Sequence, residues 1–282
     1  MMATLELDLP RTAARRRAGV WAARLGDIAY PATALVLMLA AWEWGVALLG
    51  IGAYLLPPPS LVVRAISDMA ADGSMWANLQ VTLIEALGGF AIALAAGIVV
   101  GALIAQSRLL ERTVYGYLVA IQTLPKIALA PLFVAWFGFG LTSKIGVAAL
   151  IAFFPILVNV IVGLKSCDAG KVDLMKTLSA SRWQIFRWVR LPSAVPYIMA
   201  GVDVAIVFAL TGAIVGEFVG ATAGLGYQMV LSNSQMEVPK VYGVLLVLGV
   251  VGVLLHGAVD LLRRRLLGWM PGDGHSSLSS RH

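Results

Sequence analysis

Residues 31–52, 81–105, 113–137, 143–164, 197–219 and 241–262 are six long, nearly continuous apolar stretches, separated by short polar segments. A helix crosses the hydrocarbon core of a bilayer with about 20 such residues, so each stretch predicts one spanning helix. The pattern divides the chain into a basic N-terminus (1–30), a first span (31–52) and a proline-rich outer loop (53–80). A five-helix core (81–262) and a polar tail (263–282) follow. Within the core, the 165–196 connection is too long for a hairpin and too apolar for a disordered linker. In the outer loop, Pro57, Pro58 and Pro59 forbid a continuous helix, while the residues after Ser60 suit a short amphipathic helix on the membrane. The tail from Gly272 onward is rich in Gly and Ser and reads as disordered.

Composition agrees with this reading: 60% of residues are hydrophobic and 13% charged. An ordinary soluble domain carries about 25% charge. The net charge of +6 is distributed by loop. Seventeen of the 21 Lys and Arg residues flank one set of span ends and three, Arg64, Lys144 and Lys240, the other. Only Lys126 falls inside a span. This asymmetry predicts cytoplasmic N- and C-termini and an uncleaved first span. It also favours contact with membrane lipid over nucleic acid.

Several spans carry features beyond an anchor. Gly89, Ala93, Gly97, Gly101 and Ala105 recur every fourth residue, a stripe that lets another helix approach closely. Pro125 and Pro131 interrupt the third span around Lys126, and Pro155 and Asn159 mark the fourth. Asp203 and Glu217 place carboxylates in the fifth. Broken, polar-containing spans are tolerated only where protein or water re-satisfies the backbone, which suggests a translocation pathway. Lys126, Asn159, Asp203 and Glu217 are its candidates. Lys126 would attract an anion, or else snorkel or pair with Asp203 or Glu217. Glu217 would contact solute or order the loop at 220–227. Asn159 is a candidate interhelical hydrogen bond, and Glu43 and Glu85 read as solvated or capping residues. Cys167 is the only cysteine and the three histidines are scattered, so no metal site is expected.

The 165–196 connection is the most informative stretch. Asp168 is placed to cap a helix running to Leu178. Ser181-Arg182-Trp183-Gln184 has the form of a capping box, starting a second helix that Pro192 is expected to end near Arg190. The resulting helix–turn–helix would lie under the membrane, with Trp183, Ile185, Phe186, Trp188 and Val189 free to pack. Read from residues alone, it is an interfacial basic element. It also resembles the EAA loop of permease subunits in binding-protein-dependent ABC importers. That pattern is Glu-Ala-Ala, three residues, Gly, nine residues, Ile, one residue, Leu-Pro. Here the Glu falls on Asp173, the Gly on Ser179, the Ile on Val189 and the end on Leu191-Pro192. The spacing is met, while Asp173-Leu174-Met175 replaces Glu-Ala-Ala and Ser179 replaces Gly. Residues 123–140 (TLPKIALAPLFVAWFGFG), Gly224-Leu225-Gly226-Tyr227 and the prolines of 56–60 resemble the nitrate/sulfonate/taurine branch. The similarity spans roughly 55–256.

This resemblance implies an all-α, six-helix type I ABC importer permease fold in the cell inner membrane. It implies that Asp173, Ser179, Ala180, Ser181, Arg182, Trp183, Leu191 and Pro192 couple to a separate ABC ATPase subunit. It also implies a separate solute-binding protein, a second permease copy, and a small solute such as a sulfonate, taurine, nitrate or a related organic acid or precursor. No Gly-x4-Gly-Lys-Ser/Thr loop is present, so ATP would be bound by the partner and the chain would be a transport component, not an enzyme. The alternatives are an ion-coupled secondary transporter, for which no internal repeat is visible, and a membrane enzyme, for which no catalytic cluster is visible.

Overall fold

The computed structural model describes residues 11–267, and the side chains of 29–118 and 120–267; the calls made on the 272–282 tail lie outside them. The chain enters through a long helix, α1 (Arg11–Leu48), in which residues 29–48 are apolar enough to span. The outer loop contains the expected short helix, α2 (Pro59–Ala71), opened by Pro at its first position. Its first turn is tied to α1, because Glu43 accepts from both the backbone N and the Oγ of Ser60, at 3.0 and 2.7 Å. Glu43 is thus a cap reaching across from another helix, a favourable place for a negative charge.

Three helices form the centre: α3 (Ser74–Gln106), α6 (Leu141–Lys165) and α9 (Leu191–Gly220). Half of the most apolar window is buried in both α6 and the helix containing α9, against 6% in α1. The small-residue stripe explains the tightness. A Cβ added at Gly89 would collide with the Cβ of Ala148 and stand 2.8 Å from the backbone N of Ala149. At Gly101 the same atom would lie 2.7 Å from Val160 Cγ1. The stripe therefore faces α6, as its spacing predicts. The last span, α11 (Val238–Leu266), packs on α9, α2 and the short α10 (Leu225–Ser234).

The third apolar stretch is not a straight helix. It divides into α4 (Arg108–Gln122), a 3-10 turn (Lys126–Leu129) and α5 (Ala130–Phe137), with an 87° bend. Pro125 disfavours helix at Leu124 and supplies no N–H, so the chain turns where the sequence removes its hydrogen bonds. The described residues thus hold five straight candidate spans, or six when the bent pair counts as one.

Replacing Gly89 by Leu should separate α3 from α6. The loss should exceed the 1–3 kcal/mol typical of overpacking, since the obstacle is backbone. Leu at Gly45, where no atom lies within 4 Å, should leave the thermal midpoint of the purified protein nearly unchanged. Equal tolerance of both changes would contradict this packing.

Candidate functional site

At the end of the bundle where α6 finishes, the basic connection folds as two helices and a turn. Asp168 caps α7 (Ala169–Thr177) by accepting from the Gly170 backbone at 2.6 Å. Asp173 pairs with Lys176 at 2.8 Å, an exposed contact that contributes little by itself. The turn falls on Ser179, whose φ of 58° is left-handed. This is the position where the EAA pattern has Gly. A non-Gly residue there costs about 1–2 kcal/mol. Ser179 N donates to Lys176 O and Ala180 N to Met175 O, both at 2.9 Å, which closes the turn. The capping box then forms as predicted: Ser181 N donates to Gln184 Oε1 at 2.7 Å and Gln184 N to Ser181 Oγ at 3.2 Å.

The second helix does not stop at Arg190. From α8 (Arg182–Ile185) the chain passes through a π-helical turn (Phe186–Arg190) directly into α9. Leu191 N donates to Phe186 O, five residues back. The wider turn makes room for the Pro192 ring, which would strike the preceding carbonyls of a regular helix. Pro192 is thereby admitted near the start of α9 instead of ending the helix. Residues 182–220 form one continuous helix. Ser179, Ala180, Ser181, Arg182 and Trp183 converge on the tip, while Leu191 and Pro192 sit in the shaft. Ile185 anchors the element inward at 8% exposure, and Trp183 stacks on Phe186 with centroids 5.6 Å apart. Leu174, Leu178, Trp183 and Trp188 point outward, each more than 60% exposed. An exposed apolar patch on a basic knob marks an interaction surface.

The opposite end of the bundle holds a buried polar cluster. Glu217, 2% exposed, accepts from Thr82 Oγ1 at 2.6 Å and from the backbone N–H groups of Gly226 and Tyr227. Those amides open α10, where a carboxylate is favoured by the helix dipole. Leu225 N donates to Thr82 Oγ1 and Gly224 N to Asn78 Oδ1, both at 2.8 Å. Gly224 has φ 115°, and a Cβ there would strike the Glu217 carboxyl. The Gly224-Leu225-Gly226-Tyr227 motif is therefore the backbone wrapping of one buried carboxylate. Lys144, 1% exposed, donates to the carbonyls of Phe139 and Gly220, the latter at 2.6 Å. It caps the C-terminus of α9 with a positive charge. Glu85, 2% exposed, lies against Glu217 and is neither solvated nor a helix cap, contrary to the sequence expectation. The period-four register of the small-residue stripe reaches it, because Glu85 precedes Gly89 by four residues.

The four pathway candidates do not meet. Lys126 is half-buried, donates to Gln122 O at 2.9 Å and lies 4.7 Å from the Phe154 ring centroid, so it pairs with neither Asp203 nor Glu217. Asn159 donates to Pro155 O at 2.8 Å within α6, so its bond is intrahelical. Asp203 stands 2.7 Å from His256 Nδ1, joining α9 to α11. Glu217 orders the 220–227 loop.

Residues 75–268 match the family described as the binding-protein-dependent transport system inner membrane component. The chain belongs to this family. It is 38% identical to the riboflavin transport system permease protein RibX of Chloroflexus aurantiacus, over 83% of this chain and 88% of the relative. It is 36% identical to the formylaminopyrimidine transport permease protein ThiX of Halalkalibacterium halodurans, over 85% and 95%. It is 31% identical to the putative aliphatic sulfonates transport permease protein SsuC of Bacillus subtilis, over 83% and 84%. Among solved structures, an inward-facing form of the MetNI methionine ABC transporter is similar, with a TM-score of 0.56 and 25% identity, over 75% of this chain and 98% of that one. The protein is an ABC importer permease with the type I importer fold, a multi-pass inner-membrane component.

Replacing Glu217 by Ala strands two amides and a hydroxyl in a dry site, each unmet group costing about 1–3 kcal/mol. The variant should lose several degrees in thermal midpoint and expose the 220–227 loop to protease. Glu217→Gln, which keeps one acceptor oxygen, should lose clearly less. An unchanged midpoint in the Ala variant would contradict the assignment.

Proposed function

We propose that the permease drives solute inward by alternating access, powered by a separate ATPase that grips the 165–196 knob. The observation that carries this reading is the continuity of the knob with α9. Tip residues Ser179–Trp183 present apolar and basic groups outward, and the Ser181 box fixes them on a helix that runs on through the bundle. Asp173 shapes the approach to the tip through Lys176, and Leu191-Pro192 lie where the knob passes into the shaft. The basic residues around this end support a cytoplasmic position for it and for both termini. The polar cluster at Glu217 then lies at the outer face, where a separate solute-binding protein would deliver its cargo. A second copy of the chain would complete the pathway, since much of the apolar surface of α9 and α11 is left uncovered. ATP belongs to the partner; the permease itself moves solute without chemistry.

For the solute we propose a small molecule carrying an anionic group of the sulfonate, taurine or nitrate kind. Lys126 supports it: Lys144 is sealed by carbonyls, whereas Lys126 is half-exposed at the bend of the broken span. The identities to a riboflavin and a formylaminopyrimidine permease favour a second reading, a small heteroaromatic ring, to which Phe154 beside Lys126 would also be suited.

Replacing Trp183 by Ala removes the largest apolar side chain at the tip. It should weaken retention of the ATPase subunit during purification at least tenfold and lower ATP-dependent uptake in proteoliposomes correspondingly; full retention with normal uptake would end the coupling assignment. Lys126→Met should reduce uptake of an anionic solute several-fold while the assembled complex survives. Unchanged uptake would remove Lys126 from the pathway, and a loss confined to ring solutes would favour the second reading.

A further inference from the structure

Between α7, the ends of α3 and α6 and the π-helical turn lies a cavity of about 270 Å³. Ala105 and Leu164 contribute the apolar wall, and Lys165, Lys176, Arg190 and Asp173 the charged one. Two of the three cations already have partners: Lys165 forms an ion pair with Glu111 on α4, and Lys176 with Asp173. Arg190 is different. It is half-buried, sits in the π-helical turn, and makes no side-chain hydrogen bond or ion pair among the described residues.

A guanidinium cannot shed its proton to escape this position. It presents a planar fork of donors suited to two oxygens of one anion. The cavity also lies where the apolar spans α3 and α6 end, the level to which a ~30 Å hydrocarbon core would bring lipid headgroups. Basic pockets between helices at that depth are suited to phosphate-bearing headgroups. With Lys165 paired to Glu111 and Lys176 to Asp173, the charge left uncompensated in the lining is that of Arg190, which favours an anion there.

We propose that this cavity binds a phosphate group, with Arg190 as its bidentate ligand and Lys165 and Lys176 flanking it. The group is either the phosphodiester of an anionic lipid or a free phosphate ion. Once bound, it bridges the shaft at Arg190, the end of α6 at Lys165 and α7 at Lys176. It therefore stiffens the joint between knob and bundle.

The test uses the full-length chain in two arms. In nanodiscs of phosphatidylcholine doped with phosphatidylglycerol, native mass spectrometry reads the lipid retained. In detergent, inorganic phosphate is titrated at constant ionic strength and the thermal midpoint is followed. The wild type should retain phosphatidylglycerol over phosphatidylcholine, or show a saturable rise in midpoint with phosphate. The arm that responds identifies the source. Arg190→Gln should weaken the response at least tenfold, and Arg190→Lys should restore part of it. Arg187→Gln, whose side chain lies outside the cavity, should respond as wild type. Should Arg190→Gln not fold, the double variant Lys165→Gln with Lys176→Gln must weaken binding in its place. No response in either arm, an undiminished response in the cavity variants, or an equal loss in Arg187→Gln would overturn the proposal.

Discussion

The hydrogen bond from Leu191 N–H to the Phe186 carbonyl holds the architecture together functionally. It lets the chain pass Pro192 without breaking, so the surface helix and the fifth span become one rod. The 39 residues from Arg182 to Gly220 are about 58 Å long at 1.5 Å per residue. One end is an exposed aromatic tip, and the other is Glu217, clasped by the first amides of α10. A displacement at the tip is carried toward the far loop along one hydrogen-bonded helix.

Around that rod, a lipid environment favours buried polar groups that find partners inside the protein, as Lys144 and Glu217 do. Lys144 donates to two carbonyls, and Glu217 accepts from two amides and a hydroxyl. The small-residue stripe of α3 brings its backbone close to α6. Packing and polar satisfaction use the same helix: α3 meets α6 through Gly89 and reaches Glu217 on α9 through Thr82.

Much of this was legible in the sequence. Apolar lengths located the spans, the period-four stripe named the packing face, and Ser181 with Gln184 announced a helix start that the structure reproduces. The resemblance to the EAA pattern identified the knob, and Ser179 indeed adopts the left-handed turn that Gly would take. What escaped was tertiary. Pro192 reads as a helix end because local rules do not anticipate a π-turn. Lys144 and Glu85 read as residues near span ends because their burial depends on which helices surround them. Asn159 and Asp203 were recognisable as polar residues in spans, but nothing local shows that one bonds within its own helix and the other faces His256.

The rod is the central claim, and a distance measured along it tests that claim most directly. With Cys167 replaced by Ser, spin labels at positions 187 and 221 report the length of the shaft, and a pair at 187 and 254 reports its motion against α11. In the importer assembled with its ATPase, ATP should shift the 187–254 distance while the 187–221 distribution stays single and fixed. A 187–221 distance that splits or shifts with ATP would show a hinge within the shaft and contradict the account.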